Sequence, residues 1–189
     1  MAVTTLDPKT ALIVVDLQKG IAAYSTSQPL GEIAERAGAL AKAFRAARLP
    51  VVLVAAAGVA PGRTEQSRSS MGQLPADFAD IMPQLDEQPG DHKVTKRTWG
   101  AFSYTDLDRH LKGLGVTQVV VCGVASSAGV ESTARQAHEL GFNITVAIDA
   151  IADMSPGAHA NSVTHIFPRI GETGRTQDII DLLNQTRSA

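Results

Sequence analysis

Short runs rich in Val, Ile and Ala alternate with segments of helical period along nearly the whole chain, and this alternation constrains the fold more than any other feature. Residues 11–16 (ALIVVD), 51–57 (VVLVAAA), 92–96 (HKVTK), 117–123 (TQVVVCG) and 143–150 (NITVAIDA) read as strands. The strongest of them are apolar without interruption. That pattern fits strands buried on both faces, as in a parallel sheet with helices on each side. The expected fold class is therefore α/β: three layers, α/β/α, around an open, mainly parallel sheet of about six strands.

The segments between the strands carry the helical half of the pattern. Over residues 31–48, Ile33, Ala37, Leu40, Phe44 and Ala47 recur at steps of three and four and form one apolar stripe. Thr105 is placed to cap a helix with Asp108 near its positive end and with Leu107, Leu111 and Leu114 facing inward. After the fourth strand a helix buries Val130, Ala134 and Ala137 before Gly141 stops it. Ser155 and Pro156 open a segment running towards Phe167. Thr176 is the expected cap of the last helix, whose apolar side holds Ile179, Ile180, Leu182 and Leu183. From Gly58 to Gly90 periodicity is lost, over a length unusual for an idle connection, so this stretch is expected to be a covering loop with short helical turns.

A chain of 189 residues with 44% apolar and 19% charged residues suits one domain with one core, here residues 1–189. A formal net charge of −2 offers no basic surplus for nucleic acid. The opening MAVTTLDPKT lacks a signal pattern, and no apolar run approaches the roughly 20 residues of a membrane span, so a cytoplasmic protein is expected. The single cysteine, Cys122, forms no internal disulfide and no CxxC pair.

Ligands of open parallel sheets bind outside the carboxyl ends of the strands, so strand endings are where chemistry is sought. Asp16 closes the first strand, Lys96 the third, and GVASSAG (residues 123–129) follows the fourth. A carboxylate after four apolar residues is costly to bury unless paired, and an ammonium from another strand end is a suitable partner. The plainer reading makes Asp16 a turn carboxylate and Lys96 a solvated charge.

Three segments in order resemble the isochorismatase-like hydrolases, also called the cysteine hydrolase superfamily. ALIVVDLQKG (11–20) is similar to the family's aspartate motif, GDHKVTKRTWGAF (90–102) to its lysine segment, and GVASSAGVESTARQAHELGFNITVAIDA (123–150) to its strand, turn and helix. The likeness runs from about Thr10 to Phe167. It implies a Rossmann-like sheet, a small-molecule substrate, and assembly into homodimers or homotetramers. It also implies that Asp16, Lys96 and the position of Gly129 form the catalytic centre.

Gly129 stands where the resemblance places the nucleophilic cysteine of the family's amidases. Without a side chain there, a thioester route is disfavoured. Cys122 lies seven residues earlier inside an apolar run and reads as a buried structural thiol. Ser126 and Ser127 have no histidine partner recognisable from sequence and read more simply as turn residues. The nicotinamidase branch is disfavoured as well, because VAAAGVAPGRTEQ lacks the histidines of that branch's metal site. The five histidines, His92, His110, His138, His159 and His165, show no ligand spacing, so neither a metal nor any other cofactor is expected.

The resemblance further implies that family members with glycine at this position cleave a vinyl ether. Such a reaction needs an acid, a positioned water and charge stabilisation, but no covalent nucleophile. Asp16 is the expected proton donor, with Lys96 pairing the substrate carboxylates or orienting water. Ala125, Ser126 and Ser127 are candidates for substrate binding, since backbone N–H groups at a helix start attract anions. Gln18 is a candidate to orient Asp16 or a ligand, and Arg63 to clamp a substrate carboxylate. Trp99 and Phe102 are candidates to wall the pocket, with core packing as their alternative. Two other readings stay open: hydrolysis of another small amide or ester by directly activated water, and a catalytically silent metabolite-binding protein.

Overall fold

β1 (Thr10–Val15) is buried at all six positions, so its side chains must be covered on both faces, and the rest of the architecture follows from that. In a computed structural model, which describes residues 3–24, 26–58, 60, 62–65 and 74–188, five further strands join it. They are β2 (Val51–Ala56), β3 (His92–Lys96), β4 (Gln118–Val124), β5 (Asn143–Ala152) and β6 (Glu172–Gly174). All pairings are parallel, in the order β3-β2-β1-β4-β5-β6. The sixth strand escapes a sequence reading because ETG is three residues long and carries no apolar run.

Helices cover both faces. α1 (Leu30–Ala46) presents Ile33, Ala37, Leu40 and Phe44 to the sheet as its period predicts. It ends where Arg48 turns left-handed and the Leu49 N–H returns to the Phe44 carbonyl. α2 (Leu107–Gly113), α3 (Glu131–Glu139), α4 (Pro156–Asn161), α5 (Phe167–Ile170) and α6 (Thr176–Ser188) follow. None of the described helices is long and apolar enough to cross a membrane.

Several local expectations need correction. Leu114 is 45% exposed, because α2 stops at Gly113 and the next residue no longer lies over the core. Thr105 stands one residue before the cap position held by Asp106; its hydroxyl donates to the Ala101 carbonyl and receives only a long 3.4 Å bond from the Leu107 N–H. Thr176 is the first residue of α6, and its N–H and hydroxyl both donate to Asp149 Oδ1. Ser155 does cap α4, accepting from the Ala158 N–H. Val130, Ala134 and Ala137 are buried, but α3 is entered through a π-helical turn at Ser126–Val130. Of the long connection 58–90, residues 59, 61 and 66–73 lie outside the described residues. The rest includes a 3-10 turn at Pro83–Leu85 and a bridge from Ile81 to Gln18.

At the amino ends of the strands a polar lattice closes the sheet. The Gln118 amide accepts from the Asp7 N–H and Thr10 Oγ1 and donates to the Thr5 carbonyl and Thr145 Oγ1, so a nearly buried side chain has all its polar atoms partnered.

Candidate active site

The order of the strands reverses between β1 and β4, and the crevice beyond the carboxyl ends of such a neighbouring pair is where open α/β sheets bind ligands. β1 leaves Asp16 there, in a left-handed conformation with φ 53° that turns the chain sharply out of the sheet. Asp is among the few residue types that adopt this region readily, and single outliers of this kind concentrate at functional sites. β4 lies close alongside: Gly123 has φ 115°, and a Cβ on it would overlap the Val15 backbone. The chain then passes a cis Val124–Ala125 peptide into the π-helical turn carrying Gly129.

β3 contributes Lys96 across the width of β2. Its ammonium lies 2.7 Å from Asp16 Oδ2 and 3.1 Å from the Thr98 carbonyl oxygen, with the Lys96 side chain 2% and the Asp16 side chain 11% exposed. Asp16 Oδ1 is buried without a hydrogen-bond partner. Burial pushes the Asp16 carboxyl up from 3.8 to about 6, against the Lys96 charge and hydrogen bond, which pull it down. Gly129 faces this pair, since a methyl built on it would stand 3.1 Å from Asp16 Oδ2. Lys96→Met should move the Asp16 titration further up, because both lowering influences disappear while burial remains. A carbon-detected NMR titration of the Asp16 carboxyl checks this, and a midpoint at or below the native one would contradict it.

Residues 10–178 match the family model for the isochorismatase domain. The chain belongs to the isochorismatase family. It is 39% identical over 179 residues to the isochorismatase family protein YwoC of Bacillus subtilis, covering 92% of this chain and 93% of that one. YecD of Escherichia coli O157:H7, also an isochorismatase family protein, is 39% identical over 180 residues, with coverage of 92% and 96%. The structure of an isochorismatase family protein from Burkholderia thailandensis superposes with a TM-score of 0.90 at 37% identity, over 95% of this chain and 98% of that one. The family is one of hydrolases, and the fold found here matches that of the Burkholderia structure.

Against this family frame, the remaining candidates divide. Ala125 is buried, and its carbonyl accepts from the Ala128 and Val130 N–H groups, shaping the turn. Ser126 has a partner invisible in sequence: its Oγ lies 2.8 Å from His159 Nδ1, contributed by α4 thirty-three positions later. The serine is fully buried, and the pair ties the turn to α4. Ser127 donates through its N–H and hydroxyl to Asp153 Oδ2, at 2.7 and 2.8 Å. Asp153 could have been found by the strand-end rule had β5 been read to its true end at Ala152.

Gln18 does not orient Asp16 through its amide. That amide donates to the Ala56 and Phe78 carbonyls and accepts from the Ala56 N–H, stapling β2 to the long connection. Trp99 is 63% exposed, next to Thr98 whose carbonyl takes the Lys96 ammonium. Phe102 packs on the core with its ring 6.0 Å from that of Phe142, the packing alternative of the sequence reading. Arg63 is exposed on the long connection, and no ion pair among the described residues includes it. Cys122 is buried, and burial pushes its thiol far above the usual range, which leaves it inert as a nucleophile.

Proposed function

We propose that this protein hydrolyses the vinyl ether of a small carboxylate-bearing substrate, with Asp16 as general acid and without a covalent intermediate. The observation that carries this reading is the carboxyl itself. Burial pushes it up to about 6, its Oδ1 has no hydrogen-bond partner, and its Oδ2, held by Lys96, faces a residue with no side chain. A group tuned to this range is protonated often enough near neutrality to donate and remains acidic enough to do so quickly.

In the reaction, Asp16 Oδ1 delivers its proton to the terminal carbon of the vinyl ether. The ether oxygen stabilises the resulting oxocarbenium ion, and water adds to the carbon that bears this oxygen, giving up a proton to the Asp16 carboxylate left by the first step. The hemiketal then collapses, breaking the C–O bond to release pyruvate and an alcohol. The Lys96 ammonium, held by Asp16 Oδ2 and the Thr98 carbonyl, has a third N–H free to orient the water or a substrate carboxylate.

The test is pyruvate release from isochorismate and simpler vinyl ethers, with small amides in parallel. The expected result is pyruvate without ammonia, a kcat/KM that falls as pH rises through about 6, and an intact mass unchanged during turnover. Ammonia release, or an acyl adduct on the protein, would overturn the reading.

A further inference from the structure

Thr133 lies on α3 one turn beyond Gly129, fully buried, and the reaction above makes no direct use of its side chain. Its hydroxyl nevertheless joins the two halves of the site. It donates to the Gly129 carbonyl at 2.6 Å and accepts from the Ala101 N–H at 3.1 Å. The segment donating this second bond is the loop of bends that follows β3. Within it the Thr98 carbonyl takes the Lys96 ammonium, and the Thr98 hydroxyl donates to the Gly100 carbonyl at 2.9 Å. Gln136, three residues along the same helix, secures the following stretch by accepting from the Phe102 N–H and donating to Ser103 Oγ.

We propose that Thr133 is a positioning residue that sets Lys96 against Asp16, by tying the 98–101 segment to the turn that carries Gly129. The proposal rests on the reading of Asp16 and Lys96 as the working pair. A lysine side chain has four flexible bonds, and here its ammonium is located by two acceptors, Asp16 Oδ2 and the Thr98 carbonyl. The second acceptor sits on a loop whose attachment nearest the lysine is the Ala101–Thr133 bond. Gln136 holds the loop further on, so removing the threonine hydroxyl loosens the end nearest the site while the remainder stays anchored. Lys96 is the charged group acting on the Asp16 carboxyl, and a drifting ammonium stabilises the carboxylate less.

Two measurements test this, one of which needs no substrate. Thr133→Val keeps the shape and removes both bonds, whereas Thr133→Ser keeps the hydroxyl. In the valine variant the Asp16 midpoint, followed by carbon-detected NMR, should rise by about 0.5–1 pH unit. With vinyl ether substrate, kcat should fall about tenfold while KM stays within about twofold. Serine should restore both. Should valine prevent folding, Thr133→Cys offers similar size with weak hydrogen bonding and carries the same expectation. Coincident midpoints in wild type and folded valine or cysteine variants would overturn the proposal, as would a serine variant behaving like valine, or an unchanged kcat. If instead the vinyl ether reading fails, wild type releases no pyruvate, and the titration alone decides the role of Thr133.

Discussion

Asp16→Asn should abolish turnover and yet make the protein more stable at neutral pH. The amide cannot donate the proton that the reaction needs, and losing a general acid costs about 10²–10⁴ in kcat. The stability effect has the opposite sign. The folded-state value of the carboxyl, about 6, lies above the 3.8 of the unfolded chain, so the native protein binds the proton more tightly. The stability this group contributes is therefore complete below about pH 3.8 and is lost as pH rises through about 6. A shift of this size corresponds to about 3 kcal/mol. Asparagine stays neutral at every pH and still offers an oxygen to the Lys96 ammonium, so it avoids that loss. Thermal midpoints of the two proteins should coincide near pH 4 and separate in favour of the variant above about pH 6. A variant that is less stable than wild type at neutral pH would show that the ion pair outweighs the burial of its carboxylate.

Installing the missing thiol should fail to create an amidase. In Gly129→Cys the new Cβ would stand 2.9 Å from the Val124 carbonyl oxygen, 3.0 Å from Val15 Cγ1 and 3.1 Å from Asp16 Oδ2. The first two contacts involve backbone and a packed strand residue, neither of which yields easily. Overpacking of this kind costs about 1–3 kcal/mol. The turn has closed around a glycine, so a cysteine must push the segment away from Asp16 and disturb the acid that the reaction uses. The expected outcome is a lowered thermal midpoint, loss of pyruvate release and no ammonia from small amides. A variant as stable as wild type that releases ammonia would show that glycine alone separates the two chemistries.

Much of this arrangement was legible in the sequence because the strands are apolar without interruption and the polar residues that end them stand out. Asp16 and Lys96 were singled out on that ground, and the structure brings them to 2.7 Å. The reading failed where a residue's partner is distant in the chain or is backbone. His159 and Ser126 meet only because α4 folds back over the turn, and no local spacing announces it. Gln18 looked like a site residue by its proximity to Asp16, but its amide satisfies backbone groups of β2 and of the long connection. Thr133 resembled any small helix residue, because the value of a hydroxyl depends on which carbonyl and which N–H it meets. β6 carries too few residues to show a period.

The Gln118 lattice has a practical corollary. It clamps Asp7, Thr10 and Thr145 at the pole of the sheet opposite the carboxyl group that does the chemistry. Firmness and reactivity are thus housed at opposite ends of the same strands. An engineer can stiffen the first pole while leaving the second untouched, and can reshape the mouth around Gly129 without loosening the frame that bears it.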